Sequence, residues 1–211
     1  MNSRTYSRIG ILVLLGLVMA ATRSNHFSAI ANATWGALPD ASWAVFFVAG
    51  YYLRSWVRWA FPALMALAVA VDYFVISASG VSFWTHYCVS AAYWFLLPAY
   101  FVLWMGGAWL VTQAAGQHWR DLGRLAATLV VAVSVSYLIS NGSFYWLSDS
   151  WMANSVDSRS VTGWIGNLAD WYLPYLRITA LYVGIATVLH VGALKTFGSL
   201  HADADSSLPN K

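Results

Sequence analysis

The stretch AFPALMALAVAVDYFVI, residues 60–76, decides what kind of protein this is. It makes a helix about 25 Å long at the α-helical rise, and within it only Asp72 is charged. Lipid hydrocarbon tolerates such a run because a helix satisfies its own backbone groups. Asp72 is expensive there unless paired. It is therefore read either as half of a buried helix–helix pair or as part of a binding site, with Arg159 or a ligand amide as its partner.

The rest of the chain has the same character. Of 211 residues, 60% are hydrophobic and 9% charged, against roughly 25% charged in ordinary soluble domains. Glutamate is absent, and the charges fall almost wholly between the apolar runs. The chain is therefore read as an all-α membrane protein embedded in a lipid bilayer. Residues 1–200 form one domain, and 201–211 a disordered cytoplasmic tail. The net charge of +3 follows from where Arg and Lys sit about the membrane, so no nucleic acid is expected as a partner. A single cysteine, Cys88, excludes an internal disulfide. With no Gly-rich phosphate loop or Walker motif in the sequence, ATP hydrolysis by this chain is not expected.

Six apolar runs are expected to be transmembrane helices. Arg4 and Arg8 precede the first, 9–21. It is read as a retained helix, because Met19-Ala20-Ala21 is a poor signal-peptide cleavage site. A long polar connection, 24–39, follows. The second run, 41–53, is short, with Asp40 as its N-cap. The third, 60–76, closes in a tight turn over 77–82 around Gly80. The fourth starts at Cys88 and reaches about Val111, kinked at Pro98. The fifth covers 125–139. A second long connection, 140–170, leads to the sixth, 171–195, with Pro174 in its first turn. Gly10, Gly16, Gly106 and Gly107 are assigned to close helix packing. Alternate connections hold Arg4, Arg8, Arg54, Arg58, Arg120, Arg124, Lys195 and Lys211 on one side, and mainly Arg23 and Arg159 on the other. That bias puts both termini in the cytoplasm and both long connections outside, as in a multi-pass protein of the cell inner membrane.

On that topology the unusual polar residues gather at the outer face. Cys88, at a helix start that favours the thiolate, is a candidate soft-metal ligand or nucleophile. Its bland alternative is a small apolar filler. Asp72 lies in the outer half of the third helix and Tyr93 near the outer end of the fourth. His26, Asp40 and Arg159 sit in the outer connections, where His26 and Arg159 are more commonly solvated surface groups. His86 is a rival metal ligand, but two positions along a helix point about 200° apart, so it does not share a pocket with Cys88. Trp35, Trp43, Trp84, Trp146, Trp151, Trp164 and Trp171 crowd the outer side; Trp56, Trp59, Trp104, Trp109 and Trp119 mark the inner one. Interfacial belts account for most of them. The outer excess also suits a large, flat, partly apolar ligand.

Six helices with cytoplasmic ends, the long first outer connection, the lead-in Pro39-Asp40-Ala41-Ser42-Trp43-Ala44 and a lone Cys88 followed by Tyr93 together resemble the BtuM family of cobalamin transporters. Members of that family look like solitary substrate-binding (S) components of energy-coupling-factor (ECF) transporters. The resemblance thus implies an S-component-like bundle that takes cobalamin as its substrate. It further implies that Cys88 ligates the cobalt and strips cyanide from cyanocobalamin, a catalytic step. Tyr93, Asp72, His26, Arg159 and His86 are the other candidate contacts. The chemistry agrees, because the corrin supplies four equatorial nitrogens and one axial thiolate completes a soft donor set. Gly10 and Gly16 are six apart, with the next small pair at Ala20-Ala21. This departs from the four-residue spacing by which S components dock, and argues against docking onto an energising ECF module. Two readings of other classes stand beside this one. The first is an intramembrane haem or redox enzyme using His86 and His190, which the topology sets near opposite faces. The second is an assembly factor without a small ligand, in which Asp72 is only a helix–helix pair.

Overall fold

A computed structural model describes residues 3–31, 38–86, 89–113, 119–148 and 159–206, and among them every regular element is helical. The elements are α1 (Ser3–Ala31), α2 (Ser42–Leu53), α3 (Val57–Ala78), α4 (Leu96–Gln113), α5 (Trp119–Leu147) and α6 (Val161–Ser206), with short 3-10 turns at Arg54–Trp56, Phe83–Thr85 and Ala91–Phe95. Five helical stretches are long and apolar enough to cross a membrane: Thr5–Ser24, Ser42–Ala78, Ala91–Gln113, Arg120–Leu147 and Val161–Thr196.

The second of these stretches contains both α2 and α3, and one guanidinium shows how they lie. Arg23 bonds Ser42 at the start of α2 and Asp72 near the end of α3. Ser42 stands about 17 Å from the end of α2 and Asp72 about 22 Å from the start of α3 at the helical rise. Both meet one side chain, so the two helices run antiparallel from the turn at Arg54–Trp56.

At about 18 Å, α2 is shorter than the roughly 30 Å hydrocarbon layer. It is stable because protein encloses it: α1, α3, α4 and α6 pack on it, and Ser42 to Phe47, Ala49, Gly50 and Leu53 are buried. Its contact with α4 is made backbone to backbone. A Cβ added at Gly50 would fall on the Trp104 carbonyl, and one at Gly107 on the Phe47 carbonyl. Gly106 sits close to Ala132 of α5 and to the Phe47 ring. Gly16 approaches Leu67 of α3, whereas Gly10 has open space around it and holds no helix close.

Several sequence boundaries move. α1 continues to Ala31, well past the expected end at Ala21. α5 and α6 each extend into the expected 140–170 connection, and α6 continues to Ser206 through what was read as tail. The polar residues that suggested a loop pair with each other across the helices. Asn141 donates to Asn167 Oδ1 (2.6 Å), and Trp164 Nε1 donates to Asn141 Oδ1 (3.0 Å). Ser160 starts α6 by accepting the Gly163 amide on its Oγ (3.0 Å), as an N-cap serine does. Pro174 is consequently in the helix interior, not in its first turn. Pro98 falls in the first turn of α4, where proline is tolerated, and not at a mid-helix kink.

Candidate functional site

α3 ends where Gly80 adopts φ +80° and donates its amide to the Ser77 carbonyl (3.1 Å), a terminator that favours glycine. Residues 89 and 90 are bends, and Ser90 then accepts the Ala92 amide (3.3 Å) to open a 3-10 turn at 91–95. The helix start expected at Cys88 is thus absent, and the helix-dipole argument for its thiolate loses its basis. Cys88 itself lies outside the described residues, as does the side chain of His26.

The 3-10 turn brings Tyr93 over the C-terminal end of α3, where a buried polar cluster assembles. Arg23 of α1 holds Asp72 with a two-pronged contact, Nε to Oδ1 and Nη2 to Oδ2, both 2.6 Å. Tyr93 donates its hydroxyl to the same Oδ2 at 2.7 Å. The other arm of Arg23, Nη1, donates to Tyr100 Oη (2.9 Å), Ser42 Oγ (3.1 Å) and Asp40 Oδ2 (3.4 Å). Exposure is 6% for Arg23, 1% for Asp72 and 2% for Tyr100. The expected partner of Asp72, Arg159, is elsewhere: it donates to the Trp146 and Ser148 carbonyls and so caps the end of α5. Sequence reasoning counted Arg23 only as an outer-loop charge. The sequence signalled only that an intramembrane carboxylate needs a cation; that Arg23 of α1 supplies it follows from the packing of α1 on α3.

Asp40 does not cap α2 directly. Its Oδ1 accepts the Ser42 amide (2.9 Å) and hydroxyl (2.6 Å) one residue ahead of the Ala41 cap position, which aims its second oxygen at Arg23. One guanidinium therefore meets two carboxyl side chains in the cluster.

Against this cluster opens a cavity of about 580 Å³ between α3, α4 and the connection joining them. Its walls are apolar and aromatic, with Met65, Val69, Tyr73, Phe83, Trp84 and Trp94 among them, while Arg23, Tyr93 and Tyr100 supply its polar lining. Trp84 and Trp94 are exposed at its edge; Trp43 and Trp104, assigned above to interfacial belts, are instead buried core residues. His86, next to the 3-10 turn at Phe83–Thr85, has its pKa lowered by burial, against an upward pull from Asp72. His190 lies at the opposite end of α2, its Nδ1 2.7 Å from the Tyr52 hydroxyl, so the two histidines do not share a site. Among the described residues no three His, Cys, Asp or Glu side chains come together as a metal cluster. Comparison with protein-family models and with curated sequences gave no match.

Proposed function

We propose that this chain crosses the cell inner membrane six times, with both termini cytoplasmic, and captures cobalamin from outside, ligating its cobalt through Cys88. The observation that carries the reading is the cavity between α3 and α4, apolar and aromatic on its walls and polar at Arg23, Tyr93 and Tyr100. Its volume falls within the roughly 300–1,000 Å³ of small-molecule sites. A flat macrocycle with a polar periphery suits such walls. The antiparallel α2–α3 hairpin supports six crossings, with α2 as a short enclosed one.

Cobalt inside a corrin needs only an axial ligand, so a single thiolate is a sufficient donor and no protein metal cluster is called for. When sulfur binds, a Co–S bond forms and the Co–C bond to cyanide on the opposite face weakens and breaks. Cyanide leaves with the bonding pair, and cobalt keeps its oxidation state. Tyr93 lines the cavity and orients the periphery of the substrate, held in place by Asp72 behind it. Capture on the outer side and release inward would make the chain a solitary transporter, in keeping with the six-residue separation of Gly10 and Gly16.

One observation favours a second reading, an assembly factor with no small ligand: both oxygens of Asp72 are already engaged by Arg23 and Tyr93. The experiment that separates the two is visible spectroscopy of purified protein loaded with cyanocobalamin. Wild type should retain the corrin with an altered spectrum, and Cys88→Ala should lose that alteration. Identical spectra in the two proteins would remove the thiolate as ligand; failure of wild type to retain any corrin would favour the second reading.

A further inference from the structure

The hydrogen-bond polarity of the cluster determines what its two phenols have left to offer. A tyrosine hydroxyl has one hydrogen to give and two lone pairs to accept with. Tyr93 spends its hydrogen on Asp72 Oδ2 (2.7 Å), whose carboxylate also accepts both prongs of Arg23. Tyr93 can therefore meet a ligand only as an acceptor. Tyr100 is the reverse case. Its oxygen accepts from Arg23 Nη1 at 2.9 Å, and its own hydrogen goes to no acceptor among the described residues. Both side chains line the cavity, and both are held by the same Arg23–Asp72 pair.

We infer that this polar corner of the cavity is a carboxamide subsite, in which Tyr93 accepts an amide N–H and Tyr100 donates to the amide carbonyl. A primary amide presents a donor and an acceptor side by side, the complement of this pair. A carboxylate has no hydrogen for Tyr93 and would join a cluster in which one guanidinium already meets two carboxyl side chains, which disfavours it. Arg23 and Asp72 act here as positioning residues, setting the direction of each phenol. The inference deepens the reading of the cavity as a cobalamin site, since the corrin rim carries carboxamide arms. It stands on hydrogen-bond polarity and not on cobalt ligation.

The test uses the full chain in detergent and three flat aromatic probes: 1-naphthylacetamide, its N,N-dimethyl amide and 1-naphthylacetate. The primary amide should bind about tenfold or more tightly than either of the others, the scale on which a site built for a hydrogen bond rejects a ligand that cannot make it. Tyr93→Phe should erase the preference over the dimethyl amide, and Tyr100→Phe should weaken all carbonyl-bearing probes, with thermal melting confirming that both variants fold. Equal affinity for the three probes, no binding of any of them, or a preference for the acetate would overturn the inference. Cyanocobalamin retention, measured alongside, reports separately on the proposed function: an amide preference without retention leaves the subsite standing and removes cobalamin, and retention without the preference does the opposite.

Discussion

Arg23 of α1 is the residue on which this end of the bundle closes, since one side chain bonds α2, α3 and α4. Removing one member of a buried ion pair leaves the other charge uncompensated, at a cost of about 3–5 kcal/mol. Arg23→Met should therefore destabilise the protein by that order in thermal melting, as should Asp72→Leu. The double variant should lose less than the two single losses added together, because neither charge is then stranded. An additive double variant would mean that the pair is not coupled. His86 carries a different prediction. Its folded-state pKa is below the ordinary histidine value of about 6.5, so the folded protein binds fewer protons than the unfolded chain in that region. Its contribution is present above about pH 6.5 and is lost as pH falls through the lowered folded value. His86→Gln should flatten the acid limb of stability against pH; an unchanged limb would assign it to other groups.

At the scale of elements, the contact between α2 and α4 is the least forgiving. Gly50→Ala and Gly107→Ala each drive a Cβ into the facing helix backbone, which cannot rotate away as a side chain can. Overpacking costs about 1–3 kcal/mol even where neighbours adjust, so losses at or above that range are expected in melting experiments. Gly184→Ala, on a helix surface with nothing within 4 Å, should be neutral or slightly stabilising. If all three behaved alike, close backbone approach would not be what those glycines provide. Ser160→Ala tests the early start of α6: loss of its cap should cost about 1 kcal/mol, read from melting or from faster amide exchange at 161–164.

At the scale of the whole molecule, the proposed six crossings predict which parts are reached from which side. The chain has one cysteine, so a membrane-impermeant maleimide applied to intact spheroplasts should label Cys88, and bound cobalamin should protect it. Tags at the N and C termini should be reached only after permeabilisation. One terminus accessible from outside and the other not would require an odd number of crossings and would dismiss α2 as a crossing; both accessible would invert the orientation. Arg177, passed over when charges were counted between the helices, lies exposed inside α6. Tyr182, little more than one turn further on, donates to the Pro39 carbonyl (2.8 Å) just ahead of α2.

Composition and the apolar run at 60–76 were enough to establish an all-helical chain with helices that suit a membrane, because burying backbone in lipid leaves few alternatives. Gly80 as a helix terminator was equally legible, since a positive φ selects glycine locally. The expense of Asp72 could be read from one residue in an apolar run. Its partner could not, because Arg23 is 49 positions away and only the packing of α1 on α3 brings them together. The boundaries of α5 and α6 were missed for a related reason: Asn141, Asn167 and Trp164 look like loop residues until a facing helix supplies their hydrogen bonds. The polarity of Tyr93 and Tyr100 was likewise set by tertiary contact, since each phenol takes its direction from an ion pair contributed by other helices.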